Sequence, residues 1–121
     1  MRQKLGIALA LIGVACAVEA RAADNRNAGA NAERGAALIA QYGCGSCHTI
    51  PGIAGARGQV GPPLTQLARR VYIAGMLRNT PDNLALWISD PQGIVPGNVK
   101  PNMGIEAQNA RDIAAYLATL Q

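Results

Sequence analysis

The stretch QYGCGSCHTIPG, residues 41–52, sets Cys44 and Cys47 three positions apart and follows them at once with His48, the only histidine in the chain. Cysteines at i and i+3 lie on one side of a helical turn. Three chemistries compete for such a grouping. A thiol–disulfide site also uses C-x-x-C, but in a βαβ context, and no segment here has the alternation of a strand. A zinc site needs four ligands, and once an export segment containing Cys16 is removed the chain offers only two cysteines and one histidine. What remains is C-x-x-C-H as the attachment pattern of a c-type haem. Cys44 and Cys47 would form thioethers to the two vinyl groups on one porphyrin edge, and His48 would be the proximal iron ligand.

Upstream, residues 32–42 carry Leu38, Ile39 and Tyr42 at helical spacing, and Gly43 can close the helix just before Cys44. Residues 24–31, DNRNAGAN, read as a flexible leader. Residues 1–23 read as an export signal: Arg2 and Lys4 begin it, an apolar run from Leu5 to Val18 follows, and small residues allow a cut after Ala20 or Ala22. That apolar run falls short of the ~20 residues that span a bilayer. Cleavage would remove Cys16, leaving no distant cysteine pair of the kind that exported proteins use for disulfides.

Of eleven basic and seven acidic residues, a chain cut near Asp24 keeps eight and six, scattered and without a basic run. Nucleic acid is therefore not an indicated partner. The 121 residues bound a single domain. They include no Phe, one Trp and three Tyr, too few bulky side chains to fill an ordinary core.

Downstream, residues 49–63 are rich in Gly and Pro and read as an irregular wrapping loop. Residues 64–77 suggest one short helix and a turn near Gly75. Thr80, Pro81 and Asp82 form a strong helix start, and that helix runs to about Ser89, before Pro91. Residues 90–104 form a second irregular segment. The final helix is expected from Glu106 or Ala107 to Leu120, with Ile113, Tyr116, Leu117 and Leu120 on one face. The reading is all-α, three to five helices, with two long loops that make sense if they coat a large flat ligand.

With these elements in place, the chain resembles a class I cytochrome c across nearly all of residues 32–121. It is most similar to single-haem domains that occur alone or joined to subunit II of haem-copper oxidases. GPPLTQLARR, NTPDNLALWI, DPQGIVPGN and ARDIAAYLATL carry the resemblance. It implies a class I cytochrome c fold wrapped around one covalent haem. It also implies that Gly35 lets the first helix approach the last near Tyr116, and that the Pro62 carbonyl accepts a hydrogen bond from His48. Leu64 would pack on the ring, and Trp87 would sit at the haem edge near a propionate.

The sixth iron ligand departs from the family pattern. In the related sequences the segment after PGN ends in Met-Pro, and that Met supplies the second axial sulfur. Aligned without gaps, DPQGIVPGNVKPNMG puts Pro101 on that Pro and Lys100 before it. One histidine excludes a bis-histidine haem within the chain. Of three candidates, Met103 has the right chemistry, Lys100 the right position, and Met76 is expected to fill a gap in the core; an open site is the further alternative. The expected function is that of a periplasmic single-electron carrier, not an enzyme. It would act as a monomer or as a subunit of a complex, with a redox protein partner such as an oxidase or dehydrogenase. Should the sixth site be open, gas sensing or peroxidase-like activity is the alternative.

Overall fold

The computed structural model describes residues 29–121, so the expected export signal and most of the leader lie outside the described residues. Helix α1 spans Ala32–Gln41. The Asn31 side chain caps it by accepting from the Arg34 N–H at 2.8 Å, and Gly43, at φ 69°, turns the chain out of it. Helix α2 spans Pro81–Ser89, started by Thr80, whose hydroxyl accepts from the Asn83 N–H at 3.2 Å. Helix α4 spans Ala107–Leu117 and packs against both α1 and α2.

Between α2 and α4 lies α3, Pro91–Ile94, inside the segment expected to be irregular. Its start repeats the device that opens α2: Asp90 accepts from the Gly93 N–H at 3.0 Å, and Pro91 takes the first helical position. The final helix ends three residues earlier than expected. Thr119 and Leu120 tighten into i→i+3 bonds, and the Leu120 carbonyl accepts from Ala68 N–H at 3.0 Å.

Residues 64–77 need the larger correction. The expected helix is reduced to one 3₁₀ turn, Leu67–Arg69, followed by a hairpin that pairs β1 (Tyr72–Ile73) with β2 (Leu77–Arg78) antiparallel. Ala74 and Gly75 both take positive φ, 51° and 71°, as a tight hairpin turn requires. The Asn79 amide donates to the carbonyls of Leu67 and Arg70 at 2.8 and 2.9 Å, holding the turn and hairpin together. Mostly helical with this one small sheet, the described chain keeps the expected fold class.

The helices meet at a close crossing. A Cβ on Gly35 would stand well inside 3.0 Å of the Asp112 carbonyl, so only glycine lets α1 lie this near α4. The approach is at Asp112 and Ile113, one turn before the expected Tyr116. Tyr116 instead donates its hydroxyl to the Pro51 carbonyl at 2.7 Å, tying the wrapping loop to α4.

Beside the crossing, the Asp112 side chain is wholly buried. It accepts from the Asn31 N–H at 2.8 Å and from Gln108 at 3.2 Å, and it pairs with the Arg34 guanidinium. Burial alone would raise its pKa. The bonds from Asn31, Arg34 and Gln108 outweigh that and hold the carboxyl below the usual carboxylate range. The apolar core runs through Leu38, Ile39, Leu84, Ile88, Ile113 and Leu117, one face of each long helix.

Candidate haem-binding site

The C-terminal end of α1 delivers the motif. After Gly43 the chain makes a 3₁₀ turn, Cys44–Ser46, and both Cys47 and His48 donate their N–H groups to the Cys44 carbonyl, at 3.3 and 3.0 Å. The Ser46 hydroxyl donates to the Gly43 carbonyl at 2.8 Å and secures the turn.

The loop that follows doubles back over this turn. Gly58 N–H donates to Gly45 at 3.0 Å, Gly61 N–H to Cys47 at 2.8 Å, and Leu64 N–H to Thr49 at 2.8 Å. A Cβ at Gly58 would collide with the backbone of Ser46 and Cys47. The glycines that rule out a regular helix here are therefore what allow the loop to lie flat on the motif.

The same strapping fixes the imidazole. His48 Nδ1 lies 2.7 Å from the Pro62 carbonyl oxygen, a contact in which Nδ1–H donates and Nε2 is left with its lone pair. A Cβ on Gly61 would stand 2.7 Å from Nδ1 and 2.9 Å from Nε2, so the ring lies against bare backbone. In the sequence Gly61 counts only as one of the helix-breaking residues of the loop; its place against the imidazole is a finding of the structure.

Cys44, Cys47 and His48 form part of the wall of a cavity of about 570 Å³ at the centre of the fold. Pro62, Leu64 and Trp87 line it as well, as do Lys100 and Met103, so every site residue expected from the sequence reaches the same space. Met76 does not: it is 63% exposed beside the hairpin turn, and the core-filling role expected for it is wrong. Asn98 and Arg70 also line the cavity, but most of its surface is aliphatic, including Ile39, Leu84, Ile88, Ile105 and Leu117.

The cavity is of a size typical for cofactor clefts, roughly 300–1,000 Å³. Its apolar walls, paired thiols and lone-pair-bearing imidazole suit a large apolar ring with a metal at its centre. The residues present therefore fit a haem.

Charge around the cavity is sparse. Burial pushes the Cys44 thiol above its ordinary pKa, against the opposing pull of the Lys100 charge. A site for thiol–disulfide exchange needs the reverse, a thiolate stabilised near neutral pH. Burial likewise lowers the pKa of Lys100, opposed by Cys44 and Cys47.

Comparison with known proteins agrees with this geometry. The family model described as cytochrome c matches residues 32–121. The chain belongs to the cytochrome c family. Membership implies haem binding and haem-based electron transfer, and the long helices that pack around the cavity are the scaffold of a cytochrome c domain. Cytochrome c oxidase subunit 2 of Alkalihalophilus pseudofirmus is 34% identical over 91 residues. The match takes in 74% of this chain and 26% of the relative, so the chain spans about a quarter of that protein's length. Among the described residues, no helix is long and apolar enough to cross a membrane.

Proposed function

We propose that this chain is an exported single-electron carrier of a periplasmic respiratory chain, working through one haem held covalently by Cys44 and Cys47. His48 is the proximal ligand, and Met103 or Lys100 supplies the sixth. The observation that carries this reading is the seating of the motif: both thiols and the imidazole wall one apolar cavity, with Nδ1 of His48 held by the Pro62 carbonyl.

Each residue then has a task. Cys44 and Cys47 tether the cofactor so that it cannot dissociate. The Pro62 carbonyl and Gly61 fix the plane of the imidazole and its tautomer, which makes Nε2 the donor to the iron. Leu64 and the aliphatic lining keep water from the ring and lower the local dielectric. Trp87 presents an indole N–H, which has no partner among the described residues, as a donor for a propionate. When bound, the haem supplies a one-electron Fe(III)/Fe(II) couple.

Export is supported by the N-terminal sequence pattern, and a redox partner in an oxidase or dehydrogenase complex by the relative, whose name is that of an oxidase subunit. The test is mass spectrometry of the protein matured in cells that attach haem c, together with reduced and oxidised absorption spectra. A mass increment of one haem that survives denaturation, with reversible one-electron titration, is expected. Bare polypeptide would end the proposal. Ready binding of carbon monoxide to the reduced protein would favour gas sensing or peroxidase-like chemistry at an open site.

A further inference from the structure

Lys100 lines the cavity, and its ammonium has no hydrogen-bond or ion-pair partner among the described residues. Its side chain is half-buried against a mainly aliphatic wall. Among the described residues the one ion pair is Arg34–Asp112, so no carboxylate pairs with the Lys100 ammonium. A charge in such surroundings is disfavoured, and a lysine with only a packing role would extend its head into water.

The backbone of Lys100 is also the best-anchored part of its loop. Its N–H donates to Asn98 Oδ1 at 2.8 Å, and its carbonyl accepts from Gln92 Nε2 at 2.7 Å. Gln92, on α3, also donates to the Asn98 carbonyl at 2.9 Å and accepts from Gly97 N–H at 3.0 Å. Asn98 in turn donates to Pro91 and Val95 carbonyls at 3.0 and 2.6 Å. This polar clamp ends at Lys100. Beyond it, Asn102 makes one 3.5 Å contact to Asp90, and Met103 is 41% exposed. Iron ligands are held by supporting hydrogen bonds that fix their direction, and the support here converges on the lysine and leaves the methionine loose.

We infer that the Lys100 amine, not the Met103 thioether, is the second axial ligand, and that this chain is therefore poised at a lower potential than a methionine-ligated carrier. The inference rests on the reading of a covalently held haem. On ligation the ammonium releases its proton to solvent and its freed lone pair binds the iron, with no change in oxidation state. A thioether raises the potential; a nitrogen donor in its place favours the oxidised state, so the suitable electron donors are more reducing than those that serve a methionine-ligated centre.

The test uses the full haem-loaded protein. Covalent haem is first established by mass, so that failure of the haem reading is seen separately from failure of the ligand assignment. The oxidised wild type is expected to be low-spin without the far-red sulfur-to-iron absorption band. Lys100→Met should introduce that band and raise the midpoint potential, Lys100→Ala should yield a high-spin form that binds carbon monoxide when reduced, and Met103→Leu should keep the wild-type ligand spectrum. A far-red band in the wild type that Met103→Leu abolishes would overturn the inference. So would a low-spin spectrum unaltered by Lys100→Ala.

Discussion

Gly35 and Asp112 meet backbone to backbone: the α carbon of one faces the carbonyl of the other so closely that no methyl group fits between them. The neighbour is main chain in the middle of a helix, which cannot swing aside. Gly35→Ala must push α1 and α4 apart and should destabilise the haem-loaded protein by about 1–3 kcal/mol. In a domain of this size each kcal/mol lowers the Tm by roughly 4–8 °C. A thermal melt within a degree of the wild type would contradict the crossing described above.

Asp112→Ala should cost about 1–3 kcal/mol, because the Asn31 N–H loses its buried acceptor. Arg34 contributes little to that loss, since its side chain is 51% exposed and water can take over its charge. Denaturant unfolding of Asp112→Ala, Arg34→Ala and the double variant would separate the two contributions, with Arg34→Ala expected to be the milder.

The same carboxylate gives a pH signature. Its folded pKa lies below the unfolded value of about 3.9, so its contribution to stability is full above that pH and fades as pH falls through the folded value. The stability gap between wild type and Asp112→Asn should stay constant from neutrality down to about pH 4 and narrow below it. A gap that widens on acidification would reverse the sign of the argument.

Gly61→Ala places a methyl group on the imidazole of His48. The ring must leave the Pro62 carbonyl or the loop must lift, and either change weakens the proximal bond. Lower haem yield and a rise in the high-spin fraction of the oxidised spectrum are expected. Gly29→Ala, which meets nothing within 4 Å, is the matched control and should leave both unchanged.

Asn98→Ala removes the acceptor of the Lys100 N–H and the donor to Pro91 and Val95. The loop that carries Lys100 and Met103 should loosen while Cys44 and Cys47 stay attached. Haem content by mass should be unchanged, whereas the ligand spectrum becomes a mixture. A homogeneous wild-type spectrum would show that the clamp does not govern the sixth position.

Local signals in the chain are legible where one short segment carries the whole physics. Thr80, Pro81 and Asp82 announced α2 because the cap, the first-turn proline and the acidic residue act within four positions. Gly43 announced the end of α1 for the same reason. A similar Asp-Pro signature stands at residues 90 and 91, but the prolines of residues 90–104 point to an irregular segment, and α3 is a single turn within it. The hairpin at residues 72–78 was not legible: its strands are two residues long, and its turn uses Ala74 at positive φ where Asn or Gly would have been the sign.

At the site, C-x-x-C-H was readable because spacing alone dictates its chemistry. The contact of His48 with Pro62 was expected only through family resemblance, since the two are 14 positions apart. Asp112 could not be recognised as buried. It directly follows an arginine in the sequence, and the groups that satisfy it include Asn31 and Arg34, 81 and 78 positions away.

That separation bears on how the protein comes into being. At about 5–20 residues per second, some 4–16 s of translation divide Arg34 from Asp112. Throughout that interval the first helix lacks α4, the helix it packs against most extensively. Closure between the two extremes is a contact of high order, which slows folding. The sulfur atoms of Cys44 and Cys47 are therefore in the chain well before the helix that completes the wall of their cavity.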